Sequence, residues 1–182
     1  MKKIILSLLI IITFTAVNAQ NYYTKNGYIS FYSKATIENI KASNNQVMCV
    51  LNTQNGQLQF SLLLKNFHFD KALMEEHFNE NYLESNKYPK AVFKGIITDI
   101  NNVNFTKDGE YNATVSGDIT LHGTTKKITA TGKILIKAGK IFVQSSFTLN
   151  LADYNIIISK AVKNNISPTP EITVYCQLNH KI

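Results

Sequence analysis

The sequence predicts an all-β fold, a single antiparallel β-barrel of about eight strands with one short helix covering it. Apolar and polar residues alternate with a two-residue period along most of the chain, and clusters of Gly, Asn and Asp separate the alternating stretches. This pattern is typical of antiparallel strands that bury one face. Such strands avoid exposed edges by closing on themselves, and a barrel of this size can hold one small ligand. A β-sandwich satisfies much of the same pattern.

The N-terminus predicts a signal peptide over residues 1–19. Two lysines follow Met1, and residues 4–14 form an almost unbroken apolar run. A membrane-spanning helix needs ~20 apolar residues, whereas a shorter run followed by a site such as Val17-Asn18-Ala19 is typical of a cleaved leader. Cleavage after Ala19 would leave residues 20–182 as one domain in the periplasm or outside the cell. An uncleaved membrane anchor is the alternative.

The charge distribution argues against nucleic acid as a partner. The full chain has a formal net charge of +7 and all of its cations are Lys, whereas bidentate contacts to bases and phosphates favour Arg. After residue 19 the lysines are scattered among acids, and only Lys126 and Lys127 are adjacent. A mildly basic, soluble surface of this kind favours transient contact with anionic lipid headgroups at most.

Residues 57–65 form the clearest predicted strand, because its inward face carries Leu58, Phe60, Leu62 and Leu64 while the other face includes the polar residues Gln59, Ser61 and Lys65. By the same alternation, the other predicted strands are residues 28–33, 46–53, 91–100, 111–121, 125–137, 140–150 and 171–179. The strands between residues 111 and 150 should form a meander. Residues 34–45 are expected to be a polar connection.

One segment predicts a helix that lies across the barrel. After Asp70, a residue type that caps helix N-termini, Met74, Phe78 and Tyr82 recur every four residues beside Leu73. We expect this apolar face to pack on the barrel and the glutamates of the segment to face water.

The inward residues at the centres of three successive strands are small. They are Ala113, Val115 and Gly117, then Ala130 and Gly132, then Ser145. The larger inward side chains around them are Phe60, Phe93, Ile119, Leu121, Ile134 and Phe147. This combination would leave an elongated apolar cavity suited to a hydrocarbon chain. Barrels also alternate small and large inward residues to fill their interior, so the pattern fits a cavity and a filled core equally.

Cys49 and Cys176 are predicted to be free thiols, although an exported protein meets an oxidising compartment. The last strand should close the barrel against residues 28–33, which leaves one strand between those of the two cysteines. With strands ~4.8 Å apart, their Cα atoms would be roughly 9 Å apart, beyond the ~7 Å limit for a disulfide.

The sequence carries no signal for catalysis, a metal or a cofactor, and we predict that the protein is not an enzyme. The glycines form neither a phosphate-binding loop nor a nucleophile elbow. The four histidines lack the spacing of metal ligands. Asp118 and Asp153 have no carboxylate partner close in sequence.

Four segments in order along the chain resemble the YceI-like family. They are residues 67–78 (FHFDKALMEEHF), 87–95 (KYPKAVFKG), 117–126 (GDITLHGTTK) and 147–154 (FTLNLADY). None is specific alone, but the four together extend over nearly the whole chain after residue 19.

The resemblance implies a lipocalin-like antiparallel barrel that binds a polyisoprenoid, an isoprenoid quinone or a fatty acid in its interior, with no established reaction. By position in the matching segments, the mouth would be lined or covered by Phe67, Phe69, Phe78, Tyr82 and Phe93, and the tunnel by Leu121, Phe147 and Tyr154. Because the chain has no Arg, Lys126 or Lys127 would have to hold a phosphate headgroup as point charges. Two other functions stay open, a filled barrel whose loops bind another protein and an enzyme acting on a lipid.

Overall fold

The computed structural model describes residues 21–181, and ten antiparallel strands make up most of them. The predicted signal peptide of residues 1–19 lies outside the described residues. The strands are β1 Asn21–Ser33, β2 Ile40–Asn52, β3 Gln57–Leu63, β4 His68–Phe69, β5 Lys90–Ile97, β6 Gly109–Leu121, β7 Thr124–Lys137, β8 Lys140–Thr148, β9 Glu171–Leu178 and β10 His180–Lys181.

Eight of these strands close into a barrel. The hydrogen-bonded order is β1-β9-β8-β7-β6-β5-β3-β2, and β1 also pairs with β2, which joins the two ends of the sheet. The two-residue strands β4 and β10 add to the margins of β2 and β1. The closed barrel is therefore confirmed over the sandwich, and closure removes the exposed edges that a flat sheet of this size would have.

The predicted inward faces agree with the structure, but two strands begin earlier than predicted, β1 at Asn21 instead of residue 28 and, with the larger consequence, β2. This strand begins at Ile40, so the expectation of a polar connection over residues 34–45 is wrong for its second half. Asn44 is fully buried there because its amide donates to the Leu63 carbonyl at 3.0 Å and its side-chain oxygen accepts the Gln46 N–H at 2.8 Å. Hydrogen bonds with both groups remove the usual cost of burying an amide.

Two tight hairpins produce the β6–β7–β8 meander. The β6–β7 turn is His122-Gly123 and the β7–β8 turn is Ala138-Gly139, and all four residues have positive φ angles of 49–72°. Two successive positive φ angles give the turn geometry that matches the right-handed twist of paired strands.

The predicted helix is shorter and less regular than its spacing indicates. Helix α1 covers Ala72–His77, and one wider turn of π type continues it over Phe78–Tyr82. The expectation that Asp70 caps the helix is wrong, since the N-cap position is Lys71 and no side chain bonds to the first turn. Leu73 is 61 % exposed, whereas Met74, Phe78 and Tyr82 face the barrel as expected. Within residues 21–181, none of the helices has the length and apolar character needed to traverse a bilayer.

The barrel has two unlike ends. Helix α1, residues 34–39 and residues 149–170 lie at one end, which we call the helix end, and the short connections at residues 53–56 and 138–139 lie at the other, the turn end. Buried side chains that include Leu51, Ile136, Ile141 and Leu178 fill the turn end. A second buried cluster, which includes Leu64, Phe67 and Leu83, lies toward the helix end.

Candidate functional site

An apolar cavity of about 370 Å³ occupies the barrel interior. All eight barrel strands contribute to its lining, among them β3 with Leu58, β5 with Ile97 and β7 with Ile134. Leu64 and Leu149, which follow β3 and β8, border it toward the helix end. Leu51, Ile136, Ile141 and Leu178, which fill the turn end, do not border it. The cavity thus has a solid base and reaches toward the helix end, where Glu38 and the exposed His77 belong to its lining.

Four phenylalanine rings cover part of the helix end. The Phe78 ring stacks on Phe31 with centroids 5.6 Å apart and also meets Phe67 at 5.4 Å and Phe69 at 5.1 Å. Aromatic pairs at these separations attract each other beyond the area that they bury. Since Phe78 belongs to the helical segment, this contact holds that segment over the cavity.

Small residues border the cavity where the β7–β8 pairing ends. The β7–β8 pairing ends at Gly132 and Ser145, although β7 extends back to Thr124. The Ser145 hydroxyl donates to the Thr131 carbonyl at 2.7 Å. The Thr131 carbonyl therefore has a hydrogen-bond partner at the point where the β7–β8 pairing stops. Ala113, Ala130, Gly132 and Ser145 all border the cavity, so the predicted row of small residues does leave volume.

The structure places most of the sequence-predicted site residues on this one cavity. Those that line it are Phe60, Phe67, Phe69, Phe78, Tyr82, Phe93, Ala113, Val115, Leu121, Ala130, Gly132, Ile134, Ser145 and Phe147. Gly117 and Tyr154 do not line it.

The space at Gly117 is taken up by the Phe93 ring and is not part of the cavity. Gly117 lies directly opposite Gly95 in the β5–β6 pairing, and a Cβ atom on Gly117 would come within 2.8 Å of Cζ of Phe93. The Phe93 ring therefore occupies the space above both glycines. A paired strand position without a side chain often allows such a close approach.

Tyr154 belongs to the buried core and does not border the cavity. It ends a 3-10 turn over Leu151–Tyr154 and is only 2 % exposed. Its hydroxyl has no hydrogen-bond partner among the residues that the structure describes. Burial, and secondarily the Asp153 carboxylate, raise the pKa of the Tyr154 phenol.

One part of the lining escaped the sequence analysis, the segment of residues 155–167 between β8 and β9. Its Ile156, Val162 and Ile166 side chains border the cavity at the helix end. The segment has no two-residue alternation, so the sequence predicts no strand there. The run of isoleucines at residues 156–158 was the available signal, because such a run in a fully solvated loop would be costly.

A histidine ties three segments together beside the mouth. The two ring nitrogens of His122 lie 2.8 Å from a Glu84 carboxylate oxygen and 3.1 Å from the Tyr154 carbonyl oxygen. The Tyr88 ring meets the His122 ring edge to face at 4.7 Å. We call this group the His122 latch, since it fixes the segment after the helix to the β6–β7 turn.

The two cysteines are free and buried, as predicted. The strand order β9-β1-β2 places one strand between them, and Gly27 of that strand leaves room for the Cys176 sulfur, which would lie 2.5 Å from a Cβ atom at this position. A hydrogen bond with Cys176, together with burial, raises the pKa of the Cys49 thiol well above its usual value. Both residues therefore act as small apolar side chains.

The described residues do not assemble a metal site. Within residues 21–181, no three His, Cys, Asp or Glu side chains come close enough together to hold an ion. The titratable side chains that border the cavity are Glu38 of the β1–β2 connection, His77 and Tyr82 of the helical segment, and Lys133 of β7.

Comparison with solved structures shows that this barrel is a known fold. A polyisoprenoid-binding domain from Saccharophagus degradans, implicated in plant cell wall breakdown, aligns with a TM-score of 0.75 at 16 % identity, over 88 % of this chain and 97 % of that one. Burkholderia cenocepacia BcnA aligns with a TM-score of 0.69 at 11 % identity, over 84 % and 96 % of the two chains. A Campylobacter jejuni YceI protein aligns with a TM-score of 0.58 at 14 % identity, over 82 % and 88 %.

The sequence comparisons agree with the structural ones. No curated protein matches this sequence. The family model described as the YceI-like domain matches residues 21–178, which includes every strand of the barrel. The chain therefore belongs to the YceI-like family.

Proposed function

We propose that the protein binds one long apolar, lipid-like molecule in the barrel and carries or sequesters it. The observation that supports this most directly is the cavity of about 370 Å³ with an apolar lining. Its volume is within the range of roughly 300–1,000 Å³ that is usual for small-molecule sites. A barrel that served only as a rigid support for protein-binding loops would gain stability by filling this space.

The energetics favour a long chain over a compact ligand. Each buried methylene contributes about 0.8 kcal/mol, so ten contribute on the order of 8 kcal/mol. Association costs an estimated 4–15 kcal/mol in lost freedom. With few polar groups in the lining, the ligand has to offset this cost through its apolar length.

The ligand classes that fit are a polyisoprenoid, an isoprenoid quinone and a fatty acid. The similar Saccharophagus degradans domain is described as polyisoprenoid binding, and we extend that class to this chain as part of the proposal. The absence of Arg removes the side chain best suited to a bidentate phosphate contact. We assign binding and no reaction, because the titratable side chains of the lining form no adjacent acid and base pair.

Export is part of the same proposal. The leader-like residues 1–19 would direct the chain to the periplasm or outside the cell, and removal after Ala19 would make Gln20 the first residue. Intact-mass measurement and N-terminal sequencing of protein from a fractionated culture test this. A product that retains residues 1–19 and remains with the membrane would favour an uncleaved anchor.

Solvent extraction tests the binding function. The protein is purified without detergent, extracted with organic solvent and analysed by mass spectrometry, and the emptied protein is then titrated with a fluorescent fatty acid and with a quinone. We expect about one lipid per barrel or saturable uptake of one of the probes. Neither extractable lipid nor uptake would contradict the carrier function and favour a module that binds proteins. Chemical turnover of the bound lipid would indicate an enzyme.

A further inference from the structure

Two neighbouring loops at the helix end present large aliphatic side chains to solvent. Ile157 is 82 % exposed and Ile37 is 70 % exposed, whereas the remaining exposed large apolar side chains among residues 21–181 are 61 % exposed or less. Ile37 lies between β1 and β2, and Ile157 lies between β8 and β9. These residues make no contribution to the cavity lining, so ligand binding does not account for them.

Hydrogen bonds join the two loops into one surface, which we call the rim surface and define as residues 34–39 and 155–167. The N–H groups of Thr36 and Ile37 donate to the Asn164 carbonyl at 3.1 and 3.3 Å. The Ser167 N–H donates to the Ser33 hydroxyl oxygen at 2.7 Å. Since Val162 and Ile166 of the same segment border the cavity, the rim surface has the cavity on one side and solvent on the other.

The rim surface is cationic. Lys34, Lys160 and Lys163 are exposed, and none of them forms an ion pair with another described residue. Glu38 is the one acid in these two loops, and it is paired with Lys71 of the helical segment. Three uncompensated cations therefore accompany the two exposed isoleucines.

The helical segment at the same end of the barrel has the opposite character. It carries Asp70, Glu75, Glu76 and Glu80 around the exposed Leu73. Aliphatic exposure thus coincides with positive charge on the rim surface and with negative charge on the helical segment, which gives a matched comparison within one molecule.

This combination points to the chemistry of the partner. Isolated aliphatic side chains flanked by lysines suit a bilayer that contains anionic lipids, because the aliphatic groups enter the boundary between headgroups and acyl chains while the ammonium groups stay among the headgroups. Each lysine near such a surface adds to the attraction, and salt weakens it. A protein partner or a second copy would instead require a continuous, well-packed face.

We propose that the rim surface docks the protein on anionic lipid bilayers, with the covered mouth of the cavity against the membrane. Membrane docking is a second function in addition to ligand binding, and it would shorten the path of an apolar molecule between a bilayer and the barrel. The 155–167 segment, which is both roof of the cavity and part of the rim surface, is then the first element that an entering ligand meets.

Vesicle co-sedimentation tests the proposal with the full protein. Partitioning is measured onto phosphatidylcholine vesicles and onto vesicles that also contain phosphatidylglycerol, for the wild type, Ile37→Ser/Ile157→Ser and Lys160→Gln/Lys163→Gln. We expect the wild type to bind only the mixed vesicles and to lose binding at high salt. The lysine variant should bind on the order of 20-fold more weakly, because each of the two lysines strengthens binding to an anionic surface by about fivefold. The isoleucine variant should bind at least about tenfold more weakly, because it loses two aliphatic side chains that would be buried in the bilayer.

Leu73→Ser is the matched control, because it removes an exposed aliphatic side chain from the acidic half of the same end and should leave partitioning unchanged. Absence of binding to both vesicle types, or equal binding by the wild type and both double variants, would overturn the proposal. Wild-type self-association that Ile37→Ser/Ile157→Ser abolishes, without vesicle binding, would overturn it in favour of a second copy. Uptake of a fluorescent fatty acid from solution is measured in parallel and should persist in every variant, so a failure of docking is distinguished from a failure of ligand binding.

Discussion

Ala130 of β7 offers the sharpest test of the cavity. Its methyl group borders the empty space, it is 6 % exposed, and it lies opposite Val115 of β6. Ala130→Phe adds a benzene-sized group at this point. An engineered cavity of about 150 Å³ holds one benzene molecule, so the new ring should take on the order of two fifths of the 370 Å³.

The expected loss of affinity follows from that volume. A bound chain that loses about four of every ten buried methylenes, at ~0.8 kcal/mol each, loses about 3 kcal/mol, which is on the order of 100-fold in Kd. The folded state should not suffer, because the ring enters existing space. In a filled core the same change would overpack and cost about 1–3 kcal/mol, a fall in Tm of roughly 2–12 °C for a chain of this size.

The assay pairs a fluorescent fatty acid titration with thermal melting for the wild type, Ala130→Phe and a control. Thr131→Phe is the matched control, since it adds the same ring at the next residue, whose exposed side chain points away from the interior. We expect lost uptake and an unchanged or higher Tm for Ala130→Phe alone. Undiminished uptake by Ala130→Phe would refute the assignment of this cavity as the binding site. So would a wild type that takes up nothing and yields no extractable lipid, together with a lower Tm for Ala130→Phe than for the wild type.

Four further predictions test the packing in and around the barrel. Phe78→Ala should lower the free energy of unfolding by about 2–3 kcal/mol, because the half-buried ring contacts three other rings. Glu76→Ala, the control, should change it by less than about 0.5 kcal/mol. Equal small effects of the two changes in a urea titration would mean that the helical segment is loosely held. Non-reducing peptide mapping should find Cys49 and Cys176 unlinked, and a linkage would contradict the strand order. Because the pKa of Cys49 is raised in the folded state, the thiol of the unfolded chain ionises first as pH rises past about 8.5. The wild type should therefore lose stability above that pH relative to Cys49→Ala. Denaturant titrations of both proteins at neutral and alkaline pH that show no such difference would contradict this prediction. His122→Asn, which tolerates the left-handed backbone of the turn, should speed amide hydrogen exchange in the segment after the helix, and unchanged exchange would mean that the His122 latch does not hold that segment.

The positions of the strands could be predicted from the sequence because burial of one face imposes a two-residue period. The prediction was least accurate where a tertiary contact replaces that rule. Asn44 looks like a loop residue, yet it lies in β2 because the Leu63 carbonyl, distant in sequence, accepts its amide. No local pattern contains that partner.

The lining of the cavity shows a similar division. Small inward residues such as Ala130 and Gly132 correctly indicate part of the cavity lining, since register in a meander follows from its short turns. Gly117 shares their pattern but not their role, because the Phe93 ring covers it. The direction of one aromatic side chain depends on the packing around it and is not encoded by alternation.

The sequence alone determined the class of fold, the inward face of each long strand, the helical cover and the family, because each depends on local periodicity or on motifs that are continuous in the chain. Only the tertiary structure decided whether the interior was open or filled, since that depends on how side chains from all eight strands divide a shared volume. It also revealed the rim surface, whose parts lie more than a hundred residues apart in sequence and meet through the Asn164 carbonyl. Hydrogen bonds and packing between distant segments have no sequence period, and for that reason they required the structure.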